Sequence, residues 1–109
     1  MQIQISSDHS ITVHGAESAE LQAAVTHALR HCSEHVMHVL LHLSDQNGNK
    51  GGAADKCCAM EARIQGRPSL AVTGRAASVG QSVALAAEKM ARLIDHTLGR
   101  AARAVAPQD

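Results

Sequence analysis

Five basic side chains, Lys89, Arg92, His96, Arg100 and Arg103, follow one another at intervals of 3, 4, 4 and 3 residues. On a helix, at about 100° per residue, they form a stripe about 80° wide, provided the helix continues through Gly99. Its centre lies roughly 130° from an apolar stripe made by Val79, Val83, Ala86, Ala87, Met90, Ile94 and Leu98. Cations in a row along the outer side of a helix are what phosphate backbones bind, with a steep dependence on salt. The same spacing also describes an ordinary solvated face, with Glu88 and Arg92 a weak i,i+4 pair.

The other chemistry-bearing residues point away from catalysis and metal. Of the eight histidines, His27 and His31 sit one helical turn apart and could hold one ion. His38 and His42 could not, since four strand residues separate side chains by about 13 Å. Cys57 and Cys58 are adjacent and face opposite sides of a strand, no Cys-x-x-Cys occurs, and the four ligands of a structural zinc cannot be assembled. We therefore expect neither metal nor cofactor. The histidines read as semi-polar surface residues, some of which meet an anionic partner when protonated. Binding should then tighten as pH falls from about 7.5 towards 6, because histidine as a class titrates near 6.5. An affinity that is flat across that window would remove the histidines from the account.

Asp45, Asn47 and Asn49 imitate the first positions of a calcium loop, but Lys50 stands where glycine is needed and Lys56 where the bidentate glutamate belongs. The glycine-rich run also lacks the Gly-Lys-Ser/Thr of a phosphate loop. What remains is a hairpin tip carrying Lys50 and Lys56. Cys32 lies on a buried stripe, Cys57 has no base beside it, and no motif pairs Glu61, Glu88 or Asp95 for acid–base work. The chain does not read as an enzyme, and no small-molecule substrate is expected.

Alternation over the first six residues, with Ile3 and Ile5 on one side, gives a short strand; 7–17 read as a connection. From Ser18 the period changes, and Leu21, Val25, Ala28, Leu29 and Cys32 form one helical stripe. Glu17 and Glu20 lie near the positive end of that helix, Arg30 and His31 near its negative end. Residues 36–43 return to period two, with Met37, Val39, Leu41 and Leu43 towards the core and Val36, His38, Leu40 and His42 outward. After the 45–56 loop, Cys58, Met60, Ala62 and Ile64 point inward on a further strand, which Gly66-Arg67-Pro68 ends. Leu70 and Val72 mark a last strand ending at Gly74. Ser78 and Gln81 form a capping box for the final helix.

The fold class is thus α+β in one domain over 1–106 with a tail at 107–109. The order is β-α-β-β-β-α, with both helices on one face of a four-stranded mixed sheet. The open face would carry His38, His42, Glu61 and Arg63. The chain has 109 residues, its 10 basic and 10 acidic residues balance, and it contains no Phe, Tyr or Trp. That excludes base stacking on aromatic platforms and aromatic-lined peptide grooves. No apolar run approaches the ~18 residues of a membrane span, no signal pattern opens the chain, and three cysteines suit a reducing cytoplasm.

Two segments resemble the ribosome hibernation promoting factor family. Asp45–Glu61 (DQNGNKGGAADKCCAME) is similar to the Asp-x-Asn-Gly-x-Lys-Gly-Gly-x-Asp-Lys-x-Cys loop and strand of a compact branch, with one extra residue between Gly52 and Asp55. Val83–Ile94 (VALAAEKMARLI) is similar to the final helix, where Asp-Lys-Leu-x-Arg-Gln-Leu recurs; Glu88, Lys89, Met90 and Arg92 stand in it. The element order matches over nearly the whole chain. The resemblance implies a cytoplasmic domain in the decoding channel of the small ribosomal subunit, contacting ribosomal RNA and silencing translation under stress. It carries basic positions onto Lys89, Arg92, Lys50 and Lys56, with His96 where a lysine is usual. Gly80 replaces the family's tyrosine, Ala84 its second aspartate, and His27, Arg30 and His31 stand where the first helix usually has lysines.

The leading expectation is rRNA binding through Lys89, Arg92, His96, Arg100 and Arg103, helped by Lys50, Lys56 and Arg30. The alternative is a divergent paralogue that has left the ribosome and binds protein, with a weak homodimer or another protein as partner.

Overall fold

The structure is a computed structural model that describes residues 1–8, 11, 13–45 and 56–105, with 100–105 described by backbone alone. Strand β1 (Gln2–Ser7) is followed by α1 (Gly15–Ala28), a 3-10 turn (Arg30–His35), β2 (Val36–Asp45), β3 (Lys56–Ile64), β4 (Leu70–Ala76) and α2 (Val79–Val105). The sheet order is β1-β2-β3-β4, with β1 parallel to β2 and both later pairs antiparallel. A parallel first pair requires a crossover, and α1 supplies it; the other two connections are hairpins. No described helix is long and apolar enough to cross a membrane.

One layer of aliphatic side chains joins helices to sheet. Leu41 and Leu43 of β2, Cys58, Met60 and Ala62 of β3, and Val83, Met90 and Ile94 of α2 are at most 1% exposed, and Leu21 and Val25 of α1 join the same cluster. Ile3 and Ile5 pack on its margin while Gln2, Gln4 and Ser6 stay exposed, so both helices cover one sheet face and the other is open. Without aromatic rings the layer is thin, and the backbones come close where residues are small. At Gly74 an added Cβ would lie 2.5 Å from the Ser82 carbonyl oxygen and 2.7 Å from the Ala86 nitrogen. Gly74→Ala is therefore expected to cost about 2–3 kcal/mol, because helix and strand must move apart. Gly99→Ala, in the helix with nothing within 4 Å of the new methyl, should be neutral or stabilising by up to about 1 kcal/mol. Urea unfolding of the two variants beside the parent measures both.

Several sequence expectations move. Met37 is 60% exposed and Val36 only 3%, the reverse of the simple alternation. The cause is a bulge: Val36 pairs with Ile64 and His38 with Arg63, so Met37 is an extra residue that displaces the pattern. Helix α1 begins at Gly15 rather than Ser18, and Arg30, His31 and Cys32 lie in the 3-10 turn beyond its end. Strand β4 passes through Gly74 to Ala76, and α2 runs through Gly99. Of the capping box, the Ser78 hydroxyl accepts from the Gln81 backbone N–H at 3.1 Å. The loop interior, with Lys50 and the calcium-loop look-alike, and the tail at 107–109 lie outside the described residues.

Candidate nucleic-acid interface

Helix α2 buries Val83, Ala86, Ala87, Met90 and Ile94, which fixes what its other sides present. Glu88, Lys89, Arg92, Asp95 and His96 are all exposed. Arg100 and Arg103 fall on the continued helix, which supplies the backbone the cation stripe needs. The stripe does not act as one row, however. Lys89 leans towards the sheet edge, where its ammonium donates to the Thr73 carbonyl of β4 at 2.8 Å. Arg92 instead borders a groove between α1 and α2.

That groove, of about 530 Å³, has a floor of small side chains, Ala24 and Ala28 from α1 and Ala84 and Ala91 from α2. One side carries His27 of α1 with Arg30 and His31 of the 3-10 turn; the α2 side carries Arg92 with Glu88 and Asp95. Arg30 donates to the His27 carbonyl at 2.6 Å, where a cation suits the exposed carbonyls at a helix C-terminus. His31 Nε2 lies 3.0 Å from both carboxylate oxygens of Asp95, bridging the 3-10 turn to α2. Both partners are about half exposed, 48% and 57%, so solvent screens the pair and its worth is small. Among the described residues no ion pair joins Glu88 to Arg92. Two arginines and two histidines thus face a groove whose acids come from α2.

Lys56 is placed differently from its sequence reading. It sits opposite Asp45 at the root of the β2–β3 hairpin and donates to the Asp45 carboxylate at 3.0 Å, with both side chains largely covered. Its charge is balanced there. Lys50 lies outside the described residues. The structure brings together Arg30 and Arg92, and adds His27, His31 and Asp95, which the spacing of one helix could not couple. The available signal was that His27, Arg30 and His31 recur at three and four and so share a helix side.

Among the described residues, cysteine and metal chemistry finds no assembled site. Burial pushes the Cys32 thiol up from 9.0, with the Asp95 carboxylate adding to it, and pushes Cys58 up to about 12, with Cys57 adding to it. Such thiols stay protonated and unreactive. Among the described residues no three His, Cys, Asp or Glu side chains converge as metal ligands.

No protein-family model matches the chain, and no curated protein matches it. Solved structures do. A ribosomal subunit interface protein from Coxiella burnetii superposes with a TM-score of 0.73 at 11% identity, over 91% of this chain and 99% of that one. The N-terminal domain of Thermus thermophilus Protein Y superposes with a TM-score of 0.70 at 10% identity, over 89% of this chain and 99% of that one. From β1 into α2, this chain has the fold of a ribosomal subunit interface protein and of the Protein Y N-terminal domain.

Proposed function

We propose that this chain is a cytoplasmic, non-enzymatic ribosome-associated factor that binds small-subunit ribosomal RNA and silences translation under stress. The observation that carries the reading is the convergence of Arg30 and Arg92 on the α1–α2 groove, on the helical side of a fold shared with a ribosomal subunit interface protein. Guanidinium groups offer forked donors that suit phosphate oxygens, and the alanine floor lets a backbone approach closely. His27 and His31 line the same groove, and His96 follows Arg92 one turn further along α2. Arg100 and Arg103 would extend the cationic track along α2, with Lys89, Lys50 and Lys56 as outlying contributors.

Sedimentation of stationary-phase lysate through sucrose gradients tests this. Co-migration with small subunits at about 50 mM salt that is lost by about 200 mM supports phosphate contacts. A chain that stays at the top of the gradient at low salt ends the reading. The protein-binding alternative draws support from two engaged lysines: Lys56 is neutralised by Asp45, and the Lys89 ammonium is held at the sheet edge by the Thr73 carbonyl. Its interface would respond to salt only modestly.

A further inference from the structure

The sheet face turned away from the helices has both a hollow and a knob. Cross-strand register sets His42, Ala59 and Thr73 in one row and Leu40, Glu61 and Ala71 in the next. The two alanines leave a hollow of about 280 Å³ between longer neighbours. Met37, turned out by the bulge, is the large apolar side chain most exposed among the described residues, at 60%. Glu61 and Arg63, two apart on β3, share this side of the sheet, and neither forms an ion pair among the described residues.

We propose that this face binds a second copy of the chain, sheet against sheet, about a two-fold axis crossing the strands at the level of Val39 and Ala62. Those two residues are register partners, so one axis passes both strands at the same height. It lays β3 antiparallel over its symmetry mate. Glu61 lies one position to one side of Ala62 and Arg63 one position to the other, so each Glu61 meets the partner subunit's Arg63, twice per dimer. Met37 lies between the levels of Val36 and His38, and the same rotation brings it to the level of Leu40 and Leu41 on the second copy, at the border of the hollow. One operator therefore sets the exposed methionine against the border of the hollow, covers it and pairs both charges. A contact in which each copy uses the same patch closes at two and cannot propagate.

The contact is small. Four strands about 4.8 Å apart and six or seven residues at about 3.3 Å give a face of roughly 400 Å² per copy, against about 800 Å² for a standard interface. The dimer is accordingly weak and concentration-dependent. Both α1–α2 grooves point outward in it, so self-association leaves the proposed RNA surface free.

Sedimentation velocity of the full chain in reductant, from about 5 to about 500 µM, reads the association of a small, weak interface. The average sedimentation coefficient should climb from monomer towards dimer. Met37→Glu, at an exposed position that leaves folding intact, should raise the dissociation constant at least tenfold, as should Glu61→Arg or Arg63→Glu alone. Combining Glu61→Arg with Arg63→Glu restores both pairs in reversed sense and should recover most of the association. A monomer throughout, a dimer indifferent to Met37→Glu and Glu61→Arg, or a double variant no better than its parents overturns the proposal.

Discussion

Replacing Arg30 and Arg92 together by glutamate is expected to lower affinity for small ribosomal subunits by two orders of magnitude or more at about 50 mM salt. Each neutralised phosphate contributes roughly 0.7 to 0.9 to the slope of log affinity against log salt, so losing two contacts should flatten that slope by about 1.4 to 1.8. Reversal adds repulsion to the loss. Both side chains are exposed, and Arg30's bond to the His27 carbonyl is a helix-end contact worth about 1 kcal/mol or less, so the fold should survive. The acids in the groove give the matching test of opposite sign. Glu88→Gln removes a negative charge beside Arg92 that no ion pair holds among the described residues, and should tighten binding several-fold. Lys89→Gln should matter less than Arg92→Gln, because the Lys89 ammonium already serves the Thr73 carbonyl. Filter binding of labelled small subunits over a salt series measures all four variants. Equal affinity and slope for the double reversal and the parent would take RNA off this groove.

The contrast between Lys89 and Arg92 shows where sequence reasoning stops. Both belong to one stripe by helical arithmetic, and the helix does run unbroken past Gly99. Which part of the stripe faces a neighbour depends on what packs beside the helix. On one side β4 presents a carbonyl; on the other the 3-10 turn after α1 presents Arg30 and His31. Residue periodicity fixes the inward face, since burial is a property of one helix against a layer, and Val83, Met90 and Ile94 are all buried as the spacing predicts. It carries no information on which flanks of two helices meet. The Lys56–Asp45 pair escaped for a related reason: strand register brings together two residues 11 apart, and the loop composition alone says nothing of that register.

The Met37 error is of another kind. Period-two reading assumes one residue per ladder step, and a bulge inserts one without any change in residue type. Met and Val are both apolar, so nothing in VMHVLLHL marks which of the first two turns inward. The consequence is functional, because the outward methionine is what gives the open sheet face its knob. Similarly, Gly74 looked like a strand end because glycine punctuates strands. Its real task is to let α2 approach β4 closely, so the strand continues beyond it.

Above pH 9 the domain should lose stability steeply, and Cys58 should account for about one proton of that loss. The side chain is fully buried, its thiol is pushed up to about 12 from 9.0 by burial first and by the neighbouring Cys57 second, and a thiolate there would sit among Leu43, Met60 and Gly74. Below pH 9 the thiol is protonated in folded and unfolded chains alike, so its contribution is whole. Between pH 9 and 12 the unfolded chain releases the proton while the folded chain keeps it, and folding becomes harder at about 1.4 kcal/mol per pH unit. Across the window that reaches about 4 kcal/mol, comparable to much of the total stability of a small domain. Cys32 shifts in the same direction and adds to the slope. The chain has no tyrosine, so no phenol titrates in this range to mask the effect. Urea midpoints in reductant at pH 8, 9, 10 and 11 should fall steadily for the parent. Cys58→Ala should start about 1 kcal/mol lower, through lost packing, and fall with one proton less of slope, so the two curves cross between about pH 9 and 10 and the variant is the more stable at pH 11. Parallel curves would mean that the core admits the thiolate without penalty, and that the thin aliphatic layer is wetter at Cys58 than its complete burial indicates.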